Sequence, residues 1–256
     1  MRRILFLPVI LIMALTSAFP ESGKIITKSP IVILTFDDAV ISQYKTVAPL
    51  LKKYHFGATF FICEFPLKKS VDSIQYMNWN QIKKLYQMGF EIGNHTGHHK
   101  NVTKLDKNQI MNELIFIEDK CKVNGIPKPA SFAYPGNRTD SLSQVVLKEM
   151  GYRFARAGGS RCYNPTTDFS LLIPSYTMGS AQKLQLRTSK ALENLKSGQI
   201  LVLTIHGVPD VLHPAYSTSP DLFIHYLKFM HDHHFKVIAL HDLGKIFEHT
   251  TNFTLK

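Results

Sequence analysis

Short, unbroken apolar runs alternate along the chain with amphipathic stretches of about a dozen residues. The runs are Ile31 to Phe36, Ala58 to Ile62, Phe90 to Ile92, Ser131 to Ala133, Tyr152 to Ala155, Ile200 to Ile205 and Lys236 to Leu240. Too short for helices, they predict strands buried on both faces, as in a parallel sheet. The stretches between them predict helices at Val47 to Tyr54, Asn80 to Met88, Lys107 to Val123, Ser141 to Met150, Ser189 to Leu195 and Pro220 to His233. This alternation is that of an α/β protein. Seven strands with interleaved helices suit a closed or nearly closed barrel; an open doubly wound sheet is the alternative.

Composition adds an export signal and a charge. Arg2 and Arg3 precede an apolar run from Ile4 to Leu15, and small residues at Thr16, Ser17 and Ala18 offer a cleavage site, so residues 1–18 read as a secretory signal peptide. The run is too short to span a bilayer, which takes about 20 apolar residues. No other stretch approaches that length, and no repeat or linker divides residues 19–256, which are expected to form one domain secreted or held in the cell envelope, without stable membrane insertion. At 256 residues and 45% apolar content the chain can fill a sizeable core, which excludes disorder. Export would permit one disulfide among Cys63, Cys121 and Cys162, although three separate buried thiols are the simpler expectation. The net charge is +11; removing residues 1–18 leaves 28 basic against 19 acidic side chains, or +9. Nucleic acid is not the expected partner, because only five of those 28 are arginines and the lysines are scattered without interleaved aromatics.

Polar, ligand-capable residues follow several of the apolar runs. Asp37 and Asp38 follow the first, Asn94 and His95 the third, Tyr134 and Pro135 the fourth, and His206 the run ending at Ile205. Sites in parallel α/β folds gather where loops leave the carboxyl ends of strands. In His95-Thr96-Gly97-His98-His99, residues four apart share a face of a helical or tightly turned segment, so His95 and His99 can face one ion, with His98 the competing second ligand. One aspartate would complete a three-ligand site with an open position. Adjacent carboxylates leaving a strand point in different directions, so one can bind metal while the other faces water.

These residues carry a family resemblance. Thr35-Phe36-Asp37-Asp38-Ala39 resembles the Thr-Phe-Asp-Asp-Gly signature of the polysaccharide deacetylases (carbohydrate esterase family 4), and His95-Thr96-Gly97-His98-His99 resembles their His-Ser/Thr-x-x-His motif. Gly57 to Phe61, Gly89 to Asn94, Phe132 to Gly136 and Leu203 to His206 resemble further family segments in the same order, from about residue 30 to residue 245. The resemblance implies a distorted (β/α)7 barrel, Asp37 as catalytic base, Asp38, His95 and His99 as metal ligands, and His206 as general acid. Three departures stand out: Ala39 replaces the glycine, Ala133 occupies the position of the arginine that orients the catalytic aspartate, and the fourth motif is not recognisable near Tyr152 to Cys162. A sub-branch with a Phe-Ala-Tyr-Pro third motif is similar to this chain. Arg156, from the next strand, is a candidate for the missing positive charge near Asp37; the competing expectation is an arginine facing solvent or a helix.

The expected cofactor is a divalent metal, with Zn2+ fitting the nitrogen and oxygen ligands and Co2+ or Ni2+ also compatible. The expected reaction is removal of N-acetyl groups from an acetylated glycan, peptidoglycan-like or chitin-like. Gly136 is the candidate backbone donor to the oxyanion, since Pro135 has no N–H. A histidine acting protonated beside a metal calls for a carboxylate partner, which the sequence does not identify for His206. Tyr134, Trp79, Tyr163 and the loop His213 to Tyr216 are candidate sugar contacts. The histidines at 225, 231, 233 and 234 read as a solvated helix face. The alternatives are acetyl-ester hydrolysis on xylan-type glycans, and an inactive carbohydrate-binding module. The positive charge points to an anionic cell-wall polymer as a long-range partner.

Overall fold

All six residues of β1 (Ile31–Phe36) are buried, as a central strand of a parallel sheet requires. The computed structural model describes residues 29–65 and 74–248; the expected signal peptide lies outside them. Seven further strands follow: β2 (Thr59–Ile62), β3 (Glu91–Asn94), β4 (Ser131–Ala133), β5 (Phe154–Arg156), β6 (Tyr176–Thr177), β7 (Ile200–Ile205) and β8 (Lys236–Ile238). The order across the sheet is β5-β4-β3-β2-β1-β7-β6, with β8 beside the first half of β1. Every named strand pair is parallel.

The two ends of this path meet through one stretch of chain. Residue Ile173 bridges to Arg156 of β5, and three residues further on Tyr176 pairs with Leu203 of β7. The sheet is thus curled into a distorted (β/α)7 barrel, not opened into a doubly wound sheet. Its outer layer consists of α1 (Ala48–Lys53), α2 (Trp79–Gln87), α3 (Lys107–Val123), α4 (Ser141–Glu149), α5 (Gln182–Glu193) and α6 (Pro220–Asp232), and α7 (Leu243–Glu248) follows β8. Asn78, Asp106, Asp140 and Ser219 cap α2, α3, α4 and α6 by accepting backbone N–H bonds, which sets where those helices begin.

Strand parity divides the core into two layers, because successive side chains face opposite sides. Ile31, Ile33, Phe61, Ala133, Phe154, Ile200 and Val202 pack together inside the barrel. Val32, Leu34, Phe36, Phe60, Ile62, Leu201 and Leu203 pack outward beneath helices, as do Phe132, Tyr134 and Ala155. The inward parity includes Arg156 at the end of β5 and continues past the other strand ends to Asp37, Cys63, His95 and His206.

The structure departs from the expected elements in three places. β6 is only two residues long, too short to display a period. Helix α5 starts at Gln182 instead of Ser189, its early turns being polar. The chain also adds α7, docked through Leu243 against the barrel interior.

Candidate metal centre and active site

The last β1 ladder bond runs from Asp37 N–H to the Ile205 carbonyl at 2.8 Å. The chain then turns through two left-handed residues, Asp38 (φ 72°) and Ala39 (φ 52°). This turn lets two consecutive carboxylates face one centre. Gln43, fully buried, donates through Nε2 to the carbonyls of both Asp37 and His206, tying the ends of β1 and β7 together.

The histidine loop is shaped as tightly. Buried Asn94 accepts the Thr96 N–H and donates to the Leu114 carbonyl and the Tyr152 hydroxyl. Thr96 (φ 62°) and His99 (φ 52°) are both left-handed, a costly conformation for a β-branched threonine that only a well-braced loop sustains. His98 turns away to Glu113, which accepts its backbone N–H at 2.8 Å and lies 3.1 Å from its Nδ1. The geometry therefore brings His99, and not His98, to the centre.

Asp38 Oδ1 lies 3.6 Å from His95 Nε2 and 3.5 Å from His99 Nε2. One ligand atom from each of these three residues falls within 4.8 Å of the others. His95 Nδ1 is 2.7 Å from the Ala133 carbonyl. A carbonyl only accepts, so this contact assigns the proton to Nδ1 and leaves the Nε2 lone pair facing the cluster. Burial lowers His95 to about 3 and also lowers His99, which keeps both imidazoles neutral. Burial pushes Asp38 up to about 6, with the Asp37 charge adding to the rise and His206 opposing it. Two neutral imidazoles and a carboxylate that lacks a compensating charge form a donor set that fits a divalent cation.

Asp37 is in the opposite electrostatic situation. Burial works against its ionisation, but the Arg156 guanidinium, helped by His95, His206 and His99, outweighs burial and holds the carboxyl below its usual range. Arg156 Nη2 is 2.5 Å from Asp37 Oδ2, and the arginine is only 1% exposed. Its Nη1 donates to Thr204 Oγ1, which Ser175 Oγ meets at 2.8 Å. Register explains the placement: Ala133 and Arg156 are direct partners across β4 and β5, so a small residue at 133 leaves room for an arginine in the same inward layer.

His206 Nε2 lies 3.7 Å from Asp38 Oδ2. Its Nδ1 is buried with no hydrogen-bond partner among the described residues. The nearby buried carboxylate, Asp210, instead lies 3.4 Å from His213 Nδ1. Cys63 Sγ sits 3.7 Å from Asp38 Oδ1. All three cysteines are free thiols, so no disulfide forms.

The remaining candidates scatter. Tyr134 is not in the site: outward parity buries its ring under the helices and its hydroxyl donates to the Leu171 carbonyl at 3.0 Å. Its backbone N–H is also occupied, by the Arg156 carbonyl. Tyr163 packs into the barrel interior, and the Trp79 indole donates to Glu64 Oε1 at 2.7 Å. Gly136 (φ 60°) lies in the turn Pro135–Asn137 that follows β4. Gln43, Thr204 and Cys63 escaped the sequence reading. Parity and position relative to Asp37 and His206 were the available signals for Thr204 and Cys63, whereas Gln43 had none.

Carboxylates and imidazoles thus gather at the strand ends of a curled parallel barrel, where sites of α/β folds form. A sequence profile described as "Polysaccharide deacetylase" matches residues 24–155, about half of the chain, and the chain belongs to that family. It is 29% identical over 128 residues to a peptidoglycan-N-acetylglucosamine deacetylase of Bacillus cereus, covering 48% of this chain and 54% of that protein. It is 30% identical over 94 residues to a bifunctional xylanase/deacetylase of Pseudobutyrivibrio xylanivorans, covering 37% of this chain and 14% of that protein. The chain thus matches little more than half the length of one relative and a small part of the other. A solved structure described as "T48 deacetylase with substrate" superposes with a TM-score of 0.59 at 20% identity, covering 89% of this chain and 96% of that one, which establishes the shared fold.

Proposed function

We propose that this chain is a metal-dependent hydrolase that removes N-acetyl groups from a peptidoglycan-like or chitin-like glycan of the cell envelope or extracellular space. The observation that carries this reading is the pairing of two unlike aspartates: Asp38 beside His95 and His99, and Asp37 held ionised by Arg156. Asp38, His95 and His99 would hold the cation. When bound there, a divalent cation supplies Lewis acidity, acidifying water and polarising the acetyl carbonyl.

The protein's own groups handle the proton. Asp37 accepts one from the attacking water, and Arg156 fixes the carboxylate and keeps it ionised until then. The Gly136 N–H is the proposed donor to the carbonyl oxygen as it gains charge. His206 delivers a proton to the sugar nitrogen as the C–N bond breaks, releasing acetate and a free amine. Residues 1–18 would direct export, and the surplus of basic side chains would favour an anionic wall polymer.

The relative named as a xylanase/deacetylase favours a second reading, acetyl-ester hydrolysis on xylan, since the same base and ligands would serve an oxygen leaving group. Acetate release from peptidoglycan, chitin oligomers and acetylated xylan by the Zn2+-loaded protein decides between them. Release from one of the first two, reduced about 10²- to 10⁴-fold in Asp37→Asn and partly restored from Arg156→Ala to Arg156→Lys, is the expected result. Release from xylan alone would transfer the assignment to the ester. No release from any, with bound metal confirmed, would leave a binding module.

A further inference from the structure

The loop after β7 places an exposed aromatic ring directly against His206. Tyr216 is 54% exposed, and its ring centroid lies 5.2 Å from that of His206 with the planes 31° apart. Of the aromatics that the sequence offered for sugar contact, Tyr134, Tyr163 and Trp79 are committed to packing or to Glu64. Of those four, Tyr216 is the ring in contact with His206.

The loop is built to hold that ring still. Thr218 N–H bonds the Gly207 carbonyl at 3.0 Å and closes it. Inside, buried Asp210 accepts the N–H groups of Leu212 and His213 through Oδ1 at 3.1 and 2.9 Å, while its own N–H donates to Ser217 Oγ. Gly207 is required at the neck, because a Cβ there would come within 2.6 Å of the Asp210 Cα. A braced ring loses little conformational freedom when something stacks on it.

We propose that Tyr216 is a stacking platform for the pyranose ring next to the acetylated sugar, on the His206 side of the site. This rests on the deacetylase reading and extends it to an oligosaccharide that occupies more than the reacting sugar. A pyranose has an apolar C–H face suited to an aromatic ring, and hydroxyls around its edge that need polar partners. The half-exposed imidazole of His213, beside Asp210 on the same loop, supplies such a partner. Exposed Val211 and Leu212 extend the apolar surface. The occupant is substrate and not a protein partner because the ring lies against His206 itself, so whatever covers it is continuous with the reacting group.

Two measurements test the platform. In the first, KM and kcat are compared for the chitin tetramer and for an aryl acetate with the wild type, Tyr216→Ala and Tyr216→Phe. The expected result is a KM for the tetramer about tenfold higher in Tyr216→Ala, a loss well beyond that on the aryl acetate, with Tyr216→Phe close to wild type. Equal losses on both substrates would overturn the proposal. In the second, the fully deacetylated tetramer is titrated into each protein by calorimetry, with about tenfold weaker binding to Tyr216→Ala expected. Unchanged affinity, or no binding to the wild type, overturns the platform. If neither the acetylated tetramer nor peptidoglycan releases acetate with any of the proteins, the deacetylase reading fails and the calorimetric result still judges Tyr216.

Discussion

Ala39 holds a buried methyl at φ 52°, where the matching family motif has glycine. A left-handed L-residue costs roughly 1–2 kcal/mol. Replacing it with glycine removes that cost, but forfeits about 0.8 kcal/mol of methyl burial and about 0.4–1 kcal/mol of restriction on the unfolded chain. The opposing effects nearly cancel. Ala39→Gly should therefore change unfolding free energy by less than about 0.5 kcal/mol in urea titrations, whereas Ala48→Gly in α1, equally buried but right-handed, should lose about 1.5 kcal/mol or more. A comparable loss at both positions would show that the turn at Asp38 and Ala39 is not strained. The residues most legible in the sequence were those at strand ends with chemistry of their own, Asp37, Asp38, His95 and His99. Arg156 was legible as a candidate, but its contact with Asp37 depends on a register across β4 and β5 that no local pattern reveals. Tyr134 shares the outward face of Phe132, so strand parity, and not its position in the motif, decides where its ring goes.

At the scale of elements, the long apolar runs were readable because double burial leaves little else in the sequence. β6 was not, since two residues carry no period and its pairing comes from closure of the barrel. The short turn Leu240–Asp242 leading into α7 illustrates contacts set by tertiary structure alone. His241 lies between Asp242 and buried Glu91 of β3, whose Oε2 also accepts from His241 N–H and from Thr59 of β2. Its contact with Asp242, then that with Glu91, push the imidazole from 6.5 up to about 10 despite burial. A raised folded value means that the protonated form is the one stabilised by folding. The contribution is present in full below about pH 6.5 and is lost as pH rises through about 10. Solvent around the half-exposed ring weakens it. Thermal midpoints of the wild type should fall more steeply than those of His241→Gln between pH 7 and 10. Parallel curves would mean that His241 is neutral in the folded protein at pH 7.

At the scale of the whole molecule, closure through residues 170–177 brings the β5 and β7 ends together, so the arginine of one strand and the histidine of the other serve the same pair of aspartates. The net charge acts on a longer range than any of these contacts. A surplus of +9 beyond residue 18, spread over scattered lysines, would attract an anionic polymer without choosing a register on it. Such attraction raises the encounter rate and is screened within about 30 Å at 0.01 M salt and about 8 Å at 0.15 M. The short-range contacts of buried Asp37 and largely covered His206 respond far less. If charge recruits the substrate, kcat/KM on teichoic-acid-bearing cell walls should drop steeply between these two salt concentrations, while kcat/KM on neutral chitin oligomers stays nearly level. A parallel decline on both would place the salt effect in the site or in the fold. A level response on both would remove the positive charge from any role in finding substrate.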